Sequence, residues 1–451
     1  MFFKSADGKK RERRTARRWP ETLPWTTRGR RETTTVTTRG IGTGVPLIGE
    51  SLVDLPKSDI GLNTGTMSVG SADLKARIGT ASFAFRGYDV SNLGRSPELL
   101  AHPVYGPVVR GVLDEASAVA ADTLLRSFDL AARVEAHGES NLTTFAEDIA
   151  TIVAMELAHL KLLEQFHGVN VKDAKQTFGY SLGEMASMIV GGSFTMAELL
   201  PVPLGCADDC ALLAQDSTLG VIFSRDPTVP LKDVQDLCTA VSSEGLGMVG
   251  VSAYLSPNTA LIIGQGKTLD RVEKALPSFL PGKVNLRRKP HKLPPLHTPL
   301  VWQKNIPNRA AVALYKIARE AKPPTPRVIS CVTGSASYDP LNVRDTLIRW
   351  IDQPQLLWDV ICETLSTGVD LVIHTGPAPN LIPATFDRIS NNISKQFTNR
   401  YLQMLGRGVG SRMHRYSWLS RILPSKAALL RAPLVEHVIL EDWLLARPPV
   451  D

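Results

Sequence analysis

The sequence lacks any long apolar run. No segment comes near the roughly 18 consecutive apolar residues that a transmembrane helix needs. The charged opening, MFFKSADGKKRERR, is not followed by the apolar core of a secretory signal. We therefore expect neither a membrane span nor a cleaved leader, and we predict a cytoplasmic protein.

Cysteine is also scarce, with five residues at irregular spacing. Only Cys206 and Cys210 lie close together in the sequence, and no second cysteine pair completes a zinc site around them. The pattern predicts reduced thiols that serve mostly in packing, and it predicts no bound metal.

Acidic residues are few near the N-terminus. Residues 1–40 contain twelve Lys/Arg and four Asp/Glu, whereas the remaining 411 residues have a net charge of −1. The basic excess therefore belongs to a polar tail, and we predict a disordered tail and linker over residues 1–78. Such a tail could contact nucleic acid, but the rest of the chain has no basic excess, and nucleic acid is not an expected partner.

What the chain does contain is 43% apolar residues over 451 positions, enough for a large buried core. Strand and helix patterns alternate, which favours an α/β fold around a mostly parallel sheet. ASFAF and DLVIHTG predict strands, and the stretch after Thr144 predicts a long helix that opens with a capping box to Glu147. We assign this large domain to residues 79–216 and 292–405.

Two further regions have patterns of their own. Residues 217–291 show a strand, a helix, two strands joined by Ser-Pro-Asn, a second helix and a last strand. This βαββαβ order predicts a ferredoxin-like subdomain inserted into the large domain. Residues 406–451 show two amphipathic patterns, which predict a C-terminal helical extension.

The stretch FGYSLGEM places Ser181 between Gly179 and Gly183, after a predicted strand and before a predicted helix. A serine on such a turn lifts its hydroxyl out of the sheet, and the amide of the next residue, Leu182, points at the same space. Glycines are needed on both sides because side chains there would clash in so tight a turn. The motif alone is short and is weak evidence for a nucleophile, so the interpretation depends on the surrounding sequence.

The longer stretch GYSLGEMASMIVGG resembles the serine elbow of the malonyl-CoA:acyl carrier protein transacylases, a family that includes the acyltransferase domains of polyketide synthases. Three more segments resemble the same family in the same order. They are LSPNTALIIGQGKTLDRVEKAL (small-subdomain hairpin and helix), KLPPLHTPLVW (the segment with the catalytic histidine) and QPQLLWDVICETLSTGVDLVIHTGPAPNL (the final helix and strand). The resemblance covers roughly residues 80–400 and implies an α/β-hydrolase-like core with an inserted subdomain.

The resemblance also implies roles for individual residues. Ser181 corresponds to the acyl-accepting nucleophile and His297 to its general base. The backbone amides of Leu182 and Tyr88 correspond to the oxyanion donors. The backbone carbonyl of Leu356 corresponds to the group that orients the histidine.

Several positions depart from the family pattern. Tyr180 stands in place of a histidine before the serine, and Tyr88 in place of a glutamine. Cys206 stands where malonyl-specific members have an arginine that pairs with the acyl carboxylate. Because a buried carboxylate without a partner is strongly disfavoured, we expect a neutral acyl group. We assign Tyr180, Cys206 and His374 to the substrate pocket, with a structural role as the alternative for His374.

The implied activity is a ping-pong acyl transfer. Acyl-CoA would donate to the serine, and the phosphopantetheine thiol of an acyl carrier protein would accept, in fatty-acid or polyketide-type biosynthesis; no permanently bound cofactor is implied. Eight Lys/Arg and no Asp/Glu lie between Lys395 and Arg431. That basic stretch is compatible with an acidic carrier, and a solvated basic face fits it as well.

Two other functions stay open. A serine hydrolase or thioesterase uses the same motif, although an α/β-hydrolase normally has its histidine late in the chain, and here about 150 residues follow His297. A non-catalytic homologue that binds a carrier protein is the other alternative, because Tyr88, Tyr180 and Cys206 are unusual.

Overall fold

The computed structural model describes residues 69–225, 228–404, 426–447 and 449, with the backbone only for 395–404. All of these residues belong to one unit of the chain, Gly49–Asp451. Residues 1–68 of the tail and linker that we predicted over residues 1–78 lie outside the described residues, as do residues 405–425 of the basic C-terminal stretch.

Strands and helices alternate along most of the described chain. The strands are β1 (Ala81–Phe85), β2 (Gln176–Gly179), β3 (Ser217–Ser224), β4 (Val249–Ser256), β5 (Thr259–Gln265), β6 (Val284–Lys289), β7 (Val328–Ile329), β8 (Leu371–Thr375) and β9 (Glu436–Ile439). The helices are α1 (Ser71–Arg77), α2 (Ser96–Ala101), α3 (Gly106–Leu124), α4 (Leu130–Glu135), α5 (Phe145–His167), α6 (Leu182–Val190), α7 (Met196–Leu199), α8 (Pro201–Ala214), α9 (Leu231–Ser242), α10 (Thr268–Phe279), α11 (Ile306–Lys316), α12 (Val343–Asp352), α13 (Leu357–Ser366), α14 (Leu381–Met404) and α15 (Leu440–Leu445). Short 3₁₀ segments are Ile78–Thr80, Leu142–Thr144, Val171–Asp173, Pro299–Lys304 and Ala427–Leu434.

Five parallel strands form the main sheet in the order β7-β2-β1-β8-β9. The last residue of β1, Phe85, lies opposite Gly179 of β2 on one side and Thr375 of β8 on the other. These three strands are buried along their whole length, as expected of a parallel sheet covered on both faces. The predicted α/β class is confirmed, and the carboxyl ends of β1, β2 and β8 meet at one edge, where such folds form ligand crevices.

A second, antiparallel sheet has the order β4-β5-β3-β6. Its strands and the helices α9 and α10 follow one another as βαββαβ, so the predicted ferredoxin-like unit is confirmed. The unit has a core of its own, which includes Ile222, Val234, Val251 and Val272. The boundaries that we gave to this unit and to the large domain stay predictions.

The C-terminal region differs from our prediction of a purely helical extension over residues 406–451. In its described part, Glu436–Ile439 forms β9, which pairs in parallel with β8 and adds an edge strand to the main sheet. The short helix α15 follows immediately. A four-residue strand joined directly to a six-residue helix shows neither a period of two nor a period of 3.6 for long enough to be recognised in the sequence.

The predicted linker up to residue 78 also ends earlier than expected. Helix α1 lies within that linker and is packed on the fold. Leu74 is fully buried, and the indole of Trp443 donates to the carbonyl of Val69 at 2.8 Å. Among the described residues, no helix combines the length and apolarity that a bilayer crossing requires, and no three His, Cys, Asp or Glu side chains are grouped to hold a metal ion.

Candidate active site

The turn between β2 and α6 holds Ser181 in an unusual backbone conformation, with φ 54° and ψ −117°. A Cβ atom on Gly179 would overlap the backbone of Gly183. A Cβ atom on Gly183 would lie 2.5 Å from the carbonyl oxygen of Arg86. Both positions therefore require glycine, and the turn takes the strand–turn–helix form that the sequence predicted.

His297 lies beside this serine although 116 residues separate them in the sequence. Its Nε2 atom is 2.6 Å from Ser181 Oγ. The histidine also has a positive φ of 65°, and its backbone N–H donates to the carbonyl of Ile351 at 2.7 Å. The side chain is buried, with 4% of its surface exposed, so a tertiary framework fixes the ring.

A backbone carbonyl orients the histidine, but it is not the carbonyl that we predicted. His297 Nδ1 lies 2.6 Å from the carbonyl oxygen of Trp350, so the Nδ1–H donates there and Nε2 presents its lone pair to the serine. We predicted the carbonyl of Leu356. That oxygen instead accepts from the amides of Asp359 and Val360, because Leu356 is the N-cap of α13 and its carbonyl begins the hydrogen bonding of that helix.

Burial controls the protonation of the histidine. Desolvation lowers the pKa of His297 to about 4, while the hydrogen bond to the carbonyl of Trp350 acts in the opposite direction. The ring is therefore neutral near pH 7, which is the form that can accept a proton from the hydroxyl of Ser181.

Gln355 contacts both Ser181 and His297, and no sequence pattern pointed to it. Its Oε1 accepts the backbone N–H of Ser181 at 3.2 Å, and its Nε2 lies 3.2 Å from His297 Nδ1. Its own backbone N–H and C=O bond to Ser252 and Tyr254 of β4. Gln355 thus connects the serine, the histidine and the ferredoxin-like unit.

Ser181 lies in a cleft that is partly open to solvent. Tyr88 and Tyr180, both predicted for the site, line it. A Cβ atom on Gly87 would lie 2.7 Å from Tyr180 O and 3.3 Å from Ser181 Cβ, so the backbone just before Tyr88 approaches the serine closely. The other lining residues are mostly apolar and include Phe145, Leu219, Leu261, Ile263, Leu293, Leu296, Leu381 and Ile382.

Two residues that we assigned to the pocket are not among those that line the cleft. Cys206 belongs to α8 and packs in the core of the large domain, where burial raises the pKa of its thiol to about 11. His374 is fully buried in β8, and its Nε2 lies 2.9 Å from Nδ1 of His437 on β9. Its ring contacts His437 of the neighbouring strand and does not line the cleft, which favours the structural alternative.

Two charged side chains of the loop after β1 also line the cleft. They are Arg86 and Asp89, both buried. Every guanidinium nitrogen of Arg86 already donates to a protein oxygen, with Gly87, Pro377, Ser91 and Asn92 as the acceptors. Among the described residues that line the cleft, Arg86 carries the one permanent positive charge, and four of its five N–H groups already donate to these protein oxygens.

No protein-family model matches the chain, and no curated protein matches it. Several solved structures do. FabD from Acinetobacter baumannii superposes with a TM-score of 0.53 at 20% identity over 67% of this chain and 88% of that one. The malonyl-CoA:acyl carrier protein transacylase from Clostridium perfringens gives 0.54 at 18% identity over 73% and 99%.

A third match is a malonyl-transacylase in complex with a type II polyketide synthase acyl carrier protein, with a TM-score of 0.52 at 20% identity over 68% of this chain and 91% of that one. At these identities the likeness establishes the fold. The resemblance inferred from the sequence is therefore confirmed in its architecture: the chain has the transacylase fold.

Proposed function

We propose that the protein is an acyltransferase that moves a neutral acyl group from acyl-CoA, through an acyl-serine at Ser181, to the phosphopantetheine thiol of an acyl carrier protein. The setting would be fatty-acid or polyketide-type biosynthesis. The observation that carries the proposal is the 2.6 Å contact between Ser181 Oγ and the unprotonated Nε2 of His297, in a cleft with mostly apolar walls.

Acylation would begin when Ser181 Oγ attacks the thioester carbonyl while His297 Nε2 takes the hydroxyl proton. The carbonyl of Trp350, bonded to Nδ1, stabilises the imidazolium that forms. Collapse of the tetrahedral intermediate breaks the C–S bond, and the imidazolium returns its proton to the departing CoA sulfur. A carrier thiol then repeats the sequence in reverse on the acyl-serine, so no permanent cofactor is needed.

The backbone amides of Leu182 and Tyr88 would bind the oxyanion. Leu182 is the first residue of α6, and the first amides of a helix have no acceptor within the helix. The Gly87–Tyr88 backbone is brought to the serine because Gly87 has no side chain. Removing one such donor costs about 2.7–4 kcal/mol of transition-state stabilisation in comparable sites.

The charges around the cleft favour a neutral acyl group. A malonyl group would bring a carboxylate into a cleft lined by the carboxyl group of Asp89, where four of the five N–H groups of Arg86 already donate to protein oxygens. Burying that carboxylate without a partner is costly. Cys206 lies in the core and has no part in this selectivity, contrary to our expectation from the sequence.

Intact-mass measurement after mixing with acetyl-, butyryl-, octanoyl- and malonyl-CoA tests the proposal. We expect an acyl adduct from at least one neutral donor, little or none from malonyl-CoA, and transfer of the adduct to the thiol of a holo acyl carrier protein. Ser181→Ala should abolish the adduct. Cys206→Ala is the matched control, and it should keep the adduct because the thiol is outside the cleft.

The same measurement separates the alternatives. Rapid release of free acid with no gain from carrier protein would show a hydrolase or thioesterase. No adduct with any donor would show a non-catalytic binding role. Malonyl-CoA as the best donor would overturn the selectivity.

A further inference from the structure

Two loops build the part of the cleft nearest the carboxyl ends of β1 and β8. The first, here called the Tyr88 loop, comprises residues 86–95, and the second, the Asn380 loop, comprises residues 376–380. Tyr88 and Asp89 of the first loop and Pro379 and Asn380 of the second line the cleft. The proposed oxyanion donor at Tyr88 therefore depends on how these loops are held.

Arg86 joins the two loops. Its Nη2 donates to the carbonyl of Ser91 at 3.1 Å and to Asn92 Oδ1 at 2.8 Å, both in the Tyr88 loop. Its Nη1 donates to the carbonyl of Pro377 in the Asn380 loop. The side chain is only 4% exposed, so these bonds are shielded from competing water.

Glu441 joins the same two loops from the C-terminal helix α15. Its Oε2 accepts the backbone N–H of Arg95 at 2.8 Å, and its Oε1 accepts the backbone N–H of Ala378 at 2.8 Å. It too is 4% exposed. A buried carboxylate that accepts one amide from each loop fixes the distance between the loops.

The loops touch where Glu441 meets them. A Cβ atom on Gly94 would overlap Ala378 N and would lie 2.6 Å from Glu441 Oε2. Ala378 itself has a φ of 45°, a conformation that non-glycine residues rarely adopt. A third link is made at the cleft surface, where Asn380 Nδ2 donates to Asp89 Oδ2.

We infer that Arg86 and Glu441 are positioning residues, which clamp the Tyr88 and Asn380 loops so that the amide of Tyr88 faces Ser181. Neither touches the reacting atoms, and the inference rests on the proposed function. It gives the C-terminal segment β9–α15 a part in the site, through a carboxylate that belongs to neither loop.

Glu441→Gln tests the clamp, with Asp442→Asn as the matched control. A glutamine has one acceptor oxygen where two N–H donors now bond, so one loop must lose its contact. Asp442 is the next residue on α15, and its carboxylate pairs with the side chain of Arg95 rather than with either loop backbone. Two readouts are needed: acylation kinetics, and hydrogen–deuterium exchange of peptides from both loops.

We expect Glu441→Gln to lower kcat for acylation about tenfold with KM within about twofold of the wild type, because an oxyanion donor acts mainly in the transition state. Amide exchange should quicken in the loop that loses its contact, and Asp442→Asn should match the wild type in both readouts. A Glu441→Gln protein that melts earlier but keeps wild-type kcat and wild-type exchange would overturn the inference, since its role would then be structural only.

Exchange in the wild-type protein gives an independent test that needs no variant. The amides of Arg95 and Ala378 should be protected, and exchange at the rate of free loop amides would contradict the clamp. Wild-type protein that forms no acyl-serine would instead refute the proposed function, while the exchange measurements would still decide whether the loops are clamped.

Discussion

The serine and the histidine of the site are held in place in different ways. Ser181 lies on a turn whose shape is set by nearby residues, with Gly179 and Gly183 in backbone contact. His297 is held by hydrogen bonds that it donates to the carbonyls of Trp350 and Ile351, which lie more than fifty residues away in the chain. Adding a side chain at Gly179 or Gly183 should therefore disturb the position of Ser181. Changing hydrogen bonds made by distant residues should disturb the position of His297.

Trp350 contacts both Ser181 and His297. Its indole Nε1–H donates to the carbonyl of Ser181 at 2.9 Å, while its own carbonyl accepts from His297. One residue therefore contacts the backbone of the turn and the ring of the base, which keeps the Oγ–Nε2 distance short.

Removing the base should have the largest effect. His297→Ala leaves Ser181 without a proton acceptor, and we expect acylation to slow by about 10²–10⁴-fold, measured as adduct formation by intact mass. His374→Asn is the control, because that histidine lies away from the cleft, and its folded protein should acylate near the wild-type rate. An alanine variant within about tenfold of the wild type would mean that His297 is not the base.

Filling the turn should have the next largest effect. In Gly183→Ala the new methyl group would lie 2.5 Å from the carbonyl oxygen of Arg86, and we expect a loss of about 1–3 kcal/mol of stability, or more, together with lost acylation. Thermal melting measures the first and adduct formation the second.

Gly111→Ala is the control for that substitution. Gly111 is exposed within α3, and a Cβ atom there has no neighbour within 4 Å. Alanine should be neutral or stabilising by up to about 1 kcal/mol through helix propensity. Equal melting temperatures for the two variants would show that the turn is not sterically locked.

A charge beside the imidazole should change the pH profile more than the rate at neutral pH. Gln355→Glu would put a carboxylate oxygen where Nε2 now lies 3.2 Å from His297 Nδ1. The pKa of His297, about 4 in the native protein, should rise by roughly one to two pH units. A raised pKa means that the base stays protonated to higher pH, so the acid limb of kcat/KM should move upward.

Gln355→Met separates the charge from the loss of the amide. Methionine has a similar length and no charge, so its acid limb should stay where the wild type has it, even if its rate is lower. An unmoved acid limb in Gln355→Glu would show that this side chain does not reach the histidine ring.

The smallest effect on acylation is expected from histidines outside the site, which influence stability instead. Burial lowers the pKa of His437 to about 4 and that of His374 well below 6.5. Below pH 6.5 the unfolded chain binds protons that the folded chain does not, so stability should fall from pH 6.5 towards pH 4, by up to about 1.4 kcal/mol per pH unit for each proton. His437→Asn should reduce this slope in pH-dependent melting, and an unchanged slope would contradict the burial of a neutral imidazole there.

Local patterns predicted the local parts of this structure. The turn at Ser181 and the βαββαβ unit are each encoded by contiguous residues, and the sequence pattern was sufficient for both. The capping box expected from Thr144 to Glu147 is a local prediction that was wrong. Asn141 caps the 3₁₀ turn instead, and Thr144 is its partner, while Glu147 pairs with Arg133.

The features that the sequence did not predict are contacts between segments that lie far apart in the chain. Every residue has a backbone carbonyl, so the identity of the side chains does not indicate that Trp350 rather than Leu356 is the partner of His297. Gln355 and Glu441 act through contacts with segments far along the chain, and Cys206 turned inward because its helix packs in the core. His297 was found only through the resemblance of its segment to a known family.

The most direct test of the central claim is to map the acyl group by tandem mass spectrometry after brief exposure of the wild-type protein to a neutral acyl-CoA. The account predicts modification at Ser181, lost on adding holo acyl carrier protein as the carrier gains the acyl group. Modification at another residue, or an unmodified Ser181 under every donor, would contradict it.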